Sequence, residues 1–327
     1  MLKINPLSTL YVGIDVSSKS NFVCALDFYK NKYINSSFAN NQPGADELAK
    51  KILECLKEHP DLNTVVAALE ATSIYSIHIA NYLSSCEELM SFKPYVFVVN
   101  PKCTANYKKS YISVGKSDPI DAFVIADYAR AGNIETKPWR GSQFLALKRL
   151  TRHRLHLVEC MTREKAYLVS NLYLKFSELQ MLEKDDQPFC DIYGTTSSGV
   201  LTQYLSPEEI IDSSEEELVA FLAEKSRNRI KDISKTADLL KKAARDSYRL
   251  DKALYEPLNV SIASSFNCIE TFKKEIKVID AAIEREIKGL NPNAFIILQS
   301  IDGIGPVFAG GIIAEIGDIA AFHSSDA

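Results

Sequence analysis

The sequence lacks an excess of positive charge. It contains 38 Lys and Arg residues against 42 Asp and Glu residues, which gives a formal net charge of −4 and a pI near 5.8. This balance argues against a uniformly basic, histone-like DNA-binding protein. It still permits local stripes of Lys and Arg that contact phosphates, because the acidic residues can lie elsewhere on the surface.

Cysteine pairs and long apolar runs are also missing. The 7 cysteines are scattered and no two form a C-x-x-C pair, which is typical of reduced thiols rather than of a disulfide framework or a zinc site. The N-terminus has no apolar signal core, and the most apolar late stretch, residues 294–321, is interrupted by acidic residues and glycines. We therefore expect a cytoplasmic protein without a membrane span.

The N-terminal part alternates between strand and helix patterns. Three β-rich runs at residues 9–16, 21–29 and 32–39 predict an antiparallel meander. Helical spacing follows at residues 43–58, 74–89 and 118–131, separated by apolar strands at 63–70 and 95–99. The order β-β-β-α-β-α-β-α predicts an α/β fold, a mixed sheet with helices on both faces.

The remainder of the sequence has a helical pattern. Residues 142–179 contain neither Pro nor Gly, and their apolar residues recur three, four or seven apart. This spacing predicts a long helix, which we interpret as a coiled-coil arm. We expect a polar loop at 183–199, charged helices at 206–250 and 269–290, and a helix, Gly-rich turn and helix from residue 293. The expected domains are 1–135, a helical linker and dimerisation region at 142–290 with an inserted loop, and 293–327.

One acidic residue stands out in the first strand. Strand parity places Gly13 and Asp15 on one face, and Val12, Ile14 and Val16 on the other. A carboxylate inside an otherwise apolar strand is costly without a partner. Asp15 is therefore the strongest single candidate for a functional residue.

Three further carboxylates follow in an order that suggests a shared site. Glu70 ends the fourth predicted strand, and Asp118 and Asp121 open the last helix on one helical face. If the fourth strand pairs beside the first, Asp15 and Glu70 come together, and a helix packed against that sheet can add Asp118 and Asp121. The four groups would then repel one another unless cations neutralise them. Oxygen ligands suit Mg²⁺ or Mn²⁺, and two such ions roughly 3.5–4 Å apart can activate a nucleophile and stabilise a leaving oxygen at a phosphodiester.

Each of these later carboxylates also has a structural interpretation. Asp118 followed by Pro119 is an ordinary helix start, with Asp118 as the N-cap and Asp121 satisfying an amide. Glu70 at a strand end, taken alone, favours a structural or solvated side chain. Only the combination with Asp15, in this order of elements, favours a metal site.

Two basic segments are candidates for nucleic-acid contacts. Residues 100–117 contain no acidic residue and combine lysines with Tyr107 and Tyr111, a pattern that suits a nucleic-acid backbone and unpaired bases. The long helix carries a second cluster. The alternatives are a solvated loop and a solvated helix face. The candidate residues are Lys102, Lys108, Lys109, Lys116, Lys148, Arg149 and Arg152.

The glycine-rich turn near the end of the sequence has two interpretations. Gly303 and Gly305 lie between two predicted helices. They can allow backbone amides to approach a phosphate, as in helix-hairpin-helix DNA-binding proteins. They can equally supply positive φ at a tight turn between helices.

Several of these segments together resemble a known family. Residues 11–17 (YVGIDVS), 68–72 (ALEAT), 99–101 (VNP) and 116–122 (KSDPIDA) are similar to the DEDD insertion-sequence transposases related to the Piv DNA invertases. The resemblance covers roughly the first 135 residues and the last 35. It implies a RuvC-like, RNase H-type catalytic domain in which Asp15, Glu70, Asp118 and Asp121 form an acidic tetrad that binds Mg²⁺, with Mn²⁺ as a substitute.

The resemblance also implies partners. Members of the family recombine donor and target DNA, and some are guided by a bridge RNA that pairs with both. We therefore expect donor and target DNA, a guide RNA and a homo-oligomer, dimeric or tetrameric through the helical region. The tail resembles the start of the family's second catalytic domain, whose serine nucleophile lies in a Ser-Gly segment further along the chain. Ser324 and Ser325 do not match that position, so we expect a truncated chain that lacks the nucleophile.

Two other functions remain open on the sequence. One is a structure-specific nuclease of the Holliday-junction resolvase kind, which would cut branched DNA without a serine domain. The other is an RNA- or DNA-binding fragment without catalytic activity. The first predicts metal-dependent cutting of branched DNA, and the second predicts nucleic-acid binding that is unchanged by Asp15→Asn.

Overall fold

Five strands form one mixed sheet in the N-terminal part of the computed structural model, which describes residues 4–71, 73–111, 115, 117–139, 141–183 and 186–316. The strands are β1 (Thr9–Val16), β2 (Ser20–Leu26), β3 (Lys32–Ala39), β4 (Thr64–Glu70) and β5 (Tyr95–Val99). Their spatial order is β3-β2-β1-β4-β5. The first three strands pair antiparallel, whereas β4 lies parallel to β1 and β5 parallel to β4. The predicted meander is therefore confirmed, and the fourth strand pairs beside the first, which is the condition under which Asp15 and Glu70 come together.

Helices cover both faces of this sheet. The helices are α1 (Gln42–Glu58), α2 (Tyr75–Ser85), α3 (Pro101–Lys108) and α4 (Asp118–Arg130), with a short 3₁₀ helix at Glu87–Phe92. Leu48 of α1 and Leu83 of α2 belong to a core with Val12 and Ile14. Ile125 of α4 belongs to a second core on the opposite face. The fold is thus the α/β, RNase H-like mixed sheet expected from the sequence.

Gly13 lets α4 approach β1 closely. A Cβ atom at Gly13 would lie 2.2 Å from the carbonyl oxygen of Ala122 and 2.3 Å from the amide nitrogen of Ala126. Both are backbone atoms of α4, so no side chain fits without moving the helix. The predicted parity is confirmed, because Val12 and Ile14 face the other core. Asp15 therefore lies on the α4 side of the sheet.

The chain divides into two compact units, of which the second spans Leu147–Glu315. Helix α5 (Ser142–Lys175) leads into the second unit. It is followed by α6 (Thr195–Gln203), α7 (Pro207–Asp212), α8 (Glu215–Ser226), α9 (Ile233–Asp246), α10 (Lys252–Leu290), α11 (Pro292–Gln299) and α12 (Pro306–Ile316). Leu172, Leu222, Leu240 and Phe266 belong to its main core. In the described ranges, no helix combines the length and apolar character that crossing a membrane requires.

The helical predictions are confirmed in kind, but some boundaries differ. The long helix expected from residue 142 is α5, and the helix-turn-helix tail corresponds to α11 and α12. The charged helix expected from residue 269 begins at Lys252, where the Asp251 side chain accepts from the Ala253 amide at 2.9 Å and Pro257 lies within the helix. The loop expected at 183–199 already contains the start of α6. Coiled-coil pairing of α5 stays a prediction.

A buried lysine joins three helices of the second unit. The Lys175 side chain is 1% exposed. Its ammonium donates to the carbonyl of Leu201 at 2.7 Å, to that of Tyr204 at 2.5 Å and to the side-chain oxygen of Asn259. Burial lowers the pKa of Lys175 to about 8. The three oxygen acceptors offset part of the cost of burying the charge.

The contact at Gly13 gives the first prediction. Gly13→Ala should lower the free energy of unfolding by about 3 kcal/mol, because the new methyl group overlaps backbone rather than a movable side chain. Gly311→Ala is the matched control. It lies inside α12 with no atom within 4 Å of the new Cβ, so it should stabilise by about 0.5–1 kcal/mol through helix propensity. Urea unfolding followed by circular dichroism measures both, and equal stabilities for the two variants would refute the close approach.

Lys175 gives a second prediction. Lys175→Met keeps the apolar stem but leaves the Asn259 oxygen and two helix-end carbonyls without their donor. We expect a loss of about 2–4 kcal/mol in urea unfolding. Lys274→Met, at an exposed position of α10, should change stability by less than about 0.5 kcal/mol. Similar stabilities for the two methionine variants would show that the Lys175 contacts contribute nothing net.

Candidate acidic active site

Sheet register places Asp15 and Glu70 side by side. In the parallel β1–β4 pair, Ile14 lies opposite Leu69, so the next residues, Asp15 and Glu70, occupy equivalent positions at the ends of neighbouring strands. Strand parity directs both side chains to the same face, which is the face covered by α4. Two carboxylates that are 55 positions apart in the sequence thus share one edge of the sheet.

Helix α4 brings the other two carboxylates to this edge. Asp118 and Asp121 lie in its first turn. The N-cap residue is Ser117, whose carbonyl accepts from the amides of Ile120 and Asp121 at 2.9 Å. The interpretation of Asp118 as the N-cap is therefore wrong, because Asp118 is the first residue of the helix. The same contact of α4 with β1 that requires Gly13 holds this first turn near Asp15.

The electrostatics of Asp15 connect all four groups. Its pKa is raised to about 6, first by burial and then by the negative charges of Asp121, Asp118 and Glu70, with Lys108 acting in the opposite direction. A carboxylate that is half-buried among other carboxylates resists ionisation. The four predicted residues therefore occupy one electrostatic region, where a cation would lower the energy of the ionised forms.

The four carboxylates are not arranged as a coordination shell for a metal ion. Within the described ranges, no group of three or more His, Cys, Asp or Glu residues is placed to hold a metal ion. Two of the four carboxylates are instead engaged by donors from α3. The Thr104 hydroxyl donates to Glu70 at 2.5 Å, and the Lys108 ammonium contacts Asp121.

Helix α3 corrects the sequence prediction, which treated residues 100–117 as a possible loop. The Asn100 side chain accepts from the amide of Lys102 at 2.9 Å, and Pro101 occupies the first turn. An Asn cap followed by Pro is a recognised start of a helix, so this signal was available in the sequence. The helix is short, and its apolar periodicity is too weak to reveal it.

A second buried carboxylate anchors α3 to α4. Asp127 is 0% exposed and accepts from Tyr107 at 2.9 Å, from Arg130 at 2.6 Å, from Lys30 at 3.2 Å and from Tyr111. Burial would raise the pKa of Asp127, but these hydrogen bonds outweigh burial and hold it below the usual value. Sequence reasoning missed Asp127, although an acid in the apolar stretch 122–129 is a signal of the same kind as Asp15.

The predicted nucleic-acid contacts have different environments. Lys102, Lys109 and Arg149 are exposed, whereas Lys108 is half-buried on Asp121. Lys148 and Arg152 both form ion pairs with Glu315 at 2.9 Å. Lys116 lies outside the described residues, as do Ser324 and Ser325.

The two glycines of the glycine-rich turn have different backbone conformations. Gly303 has φ +87°, a conformation that favours glycine, whereas Gly305 does not adopt positive φ. A Cβ atom at either position would meet no atom within 4 Å. The turn therefore needs glycine at position 303 for its positive φ. At Gly303 this agrees with the interpretation of the motif as a tight turn between helices.

Comparison with known proteins agrees with the motifs. A family model described as a transposase, of the DEDD IS110 type, matches residues 12–177. A search of curated proteins finds no match to the chain. The matched region covers half of the chain and contains all four acidic residues together with α3, α4 and α5. On this match, the chain belongs to the IS110-type DEDD transposases.

Proposed function

We propose that this transposase cleaves and transfers DNA strands with Mg²⁺ held by Asp15, Glu70, Asp118 and Asp121, and that Mn²⁺ can replace Mg²⁺. The observation that carries the proposal is the placement of the four carboxylates: sheet register sets Glu70 beside Asp15, and the first turn of α4 carries Asp118 and Asp121. The raised pKa of Asp15, caused by burial and by these three carboxylates, agrees with this placement. Oxygen-only donors of this kind suit small, hard divalent cations. A bound cation would also remove the mutual repulsion of the four groups.

The residues would contribute by position and by charge. A divalent cation supplies activation of the attacking oxygen and stabilisation of the leaving oxygen. Asp15 and Glu70 extend from neighbouring strands of a rigid sheet, and α4 is fixed against that sheet at Gly13. Such support keeps ligands within the narrow tolerance that phosphoryl transfer needs. The donors on α3 would have to release Glu70 and Asp121 when the cation binds.

Exposed cations on each unit are candidates for contacts with DNA phosphates. Lys102 and Lys109 lie on or directly after α3, beside the acidic site, and Arg149 is exposed on α5. We propose that these three contact phosphates directly. Lys148 and Arg152 would first have to release Glu315. Guidance by a structured RNA is the part of the proposal that rests on the family resemblance alone, and sequencing of RNA that copurifies with the protein tests it.

The helical unit offers surfaces for self-association. Several large apolar side chains on its two longest helices are exposed. They are Leu155, Tyr167, Tyr173 and Leu174 of α5, and Leu254, Val260 and Val278 of α10. Exposed apolar residues favour contact with another protein surface where they lie together in one patch. We propose a homo-oligomer through this region, and multi-angle light scattering measures it.

The acidic site gives a prediction with two readouts. Asp15→Asn removes the half-buried charge, so it should abolish Mg²⁺-dependent DNA cleavage. In buffer without divalent cations it should also raise the free energy of unfolding at pH 7–8 by about 1–2 kcal/mol, after allowance for partial solvent screening. The sign follows from the raised pKa, because the folded wild-type protein binds more protons between pH 4 and about 6 and loses stability as the pH rises through that range.

Supercoiled-plasmid nicking and chemical unfolding with and without Mg²⁺ measure these effects. Asp61→Asn, at an exposed position, should leave both unchanged. Mg²⁺ should stabilise the wild-type protein and the Asp61 variant but not the Asp15 variant. Retained Mg²⁺-dependent cleavage by Asp15→Asn would refute the catalytic assignment. Preferential cutting of branched DNA would favour the resolvase-like alternative.

The proposed phosphate contacts give another prediction. The double variant Lys102→Gln, Lys109→Gln should weaken binding of duplex DNA and reduce the slope of log K against log salt by about 2, since each phosphate contact contributes about 0.9. Lys50→Gln combined with Lys57→Gln, on α1 against the opposite face of the sheet, should leave the slope unchanged. Fluorescence anisotropy between low and physiological salt measures both, and equal slopes would remove α3 from the DNA path.

A further inference from the structure

Helix α3 presents two donors to the acidic site. Thr104 and Lys108 lie one helical turn apart and therefore on the same face. The Thr104 hydroxyl is buried against Glu70, and the Lys108 ammonium lies on Asp121. The Lys108 and Asp121 side chains are only 21% and 25% exposed, so solvent screens this ion pair less than it screens a surface pair.

Two tyrosines hold α3 independently of the acidic site. Tyr107, and Tyr111 just beyond the helix, donate to Asp127. Asp127 lies two turns along α4 from Asp121 and is completely buried. This anchor keeps the α3 backbone near α4 whether or not Lys108 contacts a carboxylate. The flexible lysine stem can therefore move while the helix stays in place.

Thr104 can also release its carboxylate without losing a partner. Its hydroxyl lies 3.0 Å from the carbonyl oxygen of Pro101, in addition to its contact with Glu70. If Glu70 bound a cation, the Thr104 hydroxyl would still donate to the carbonyl oxygen of Pro101. No buried donor would be left unsatisfied, so the rearrangement is inexpensive.

We propose that Lys108 is the internal counter-ion of the acidic site in its cation-free form, and that a divalent cation binds by displacing its ammonium from Asp121. The displaced ammonium is then free, at the edge of the same site, to contact a phosphate of the DNA strand. This inference rests on the proposed function, because it assumes that the four carboxylates bind the cation. It accounts for the absence, in the described ranges, of three carboxylates placed around one point.

The alternative is that Lys108 forms a structural ion pair. In that case its removal would lower stability and leave cation affinity unchanged or weaker. If instead the ammonium competes with the cation, removing one positive charge a few ångströms away should strengthen cation binding by about tenfold. The two roles therefore predict different results for one substitution.

The test is Mn²⁺ binding by isothermal titration calorimetry to the wild-type chain, Lys108→Gln and Lys109→Gln. Lys109 is the matched control, because it is the adjacent lysine and its ammonium contacts the Asn106 side chain at 3.0 Å rather than a carboxylate. We expect about tenfold tighter binding for Lys108→Gln and wild-type affinity for Lys109→Gln. Unchanged or weaker binding by Lys108→Gln would overturn the inference.

A second measurement covers the case in which Lys108→Gln fails to fold. In ¹³C-labelled wild-type protein, the Lys108 Cε signal should shift when Mg²⁺ is added, whereas the Lys109 signal should not. Lys108→Arg, which keeps the charge, identifies the Lys108 signal. A Lys108 Cε signal whose chemical shift does not change at saturating Mg²⁺ would also overturn the inference.

The two proposals fail in distinguishable ways. Wild-type protein that binds no Mn²⁺, or that binds it equally well after Asp15→Asn, refutes the proposed metal site and the inference with it. Binding that depends on Asp15 but not on Lys108 refutes only the inference. The proposed function then stands.

Discussion

The acidic site depends on the contact between α4 and β1 at Gly13. The helix backbone lies so close to the strand that a single methyl group would overlap it. This contact fixes the first turn of α4, with Asp118 and Asp121, against the strand end that carries Asp15. Parallel pairing of β1 and β4 adds Glu70 at the same edge. Close packing of uncharged backbone atoms therefore brings together four carboxylates whose mutual repulsion opposes this arrangement.

Much of this arrangement could be predicted from the sequence, because it follows from strong local patterns. Strand periodicity placed Asp15 on the correct face, and the order of strands and helices brought Glu70 and the start of α4 to the same edge. Helix α3 was missed because eight residues with few apolar positions carry little periodic signal, although the Asn100 cap was visible. Helix α10 begins at Lys252 rather than at residue 269 and continues through Pro257, which removes one backbone hydrogen bond from the helix interior and so gives no local signal for a helix there.

Contacts between distant side chains could not be predicted in the same way. Lys148 and Arg152 look like DNA-binding cations in the sequence, yet both pair with Glu315, more than 160 residues along the chain. Lys108 looks similar and pairs with Asp121. Sequence patterns give the charge of a residue and the element that carries it. Which opposite charge it meets depends on the packing of the whole unit.

Asp15 and Asp127 show why this difference matters for function. Both are acids within apolar segments of the same unit, and the sequence treats them alike. Asp127 meets Tyr, Arg and Lys donors that lower its pKa, so its charge is already neutralised and its role is structural. Burial and three other carboxylates raise the pKa of Asp15. Under the proposed function, a divalent cation would compensate this half-buried charge, because four carboxylates suit such a cation.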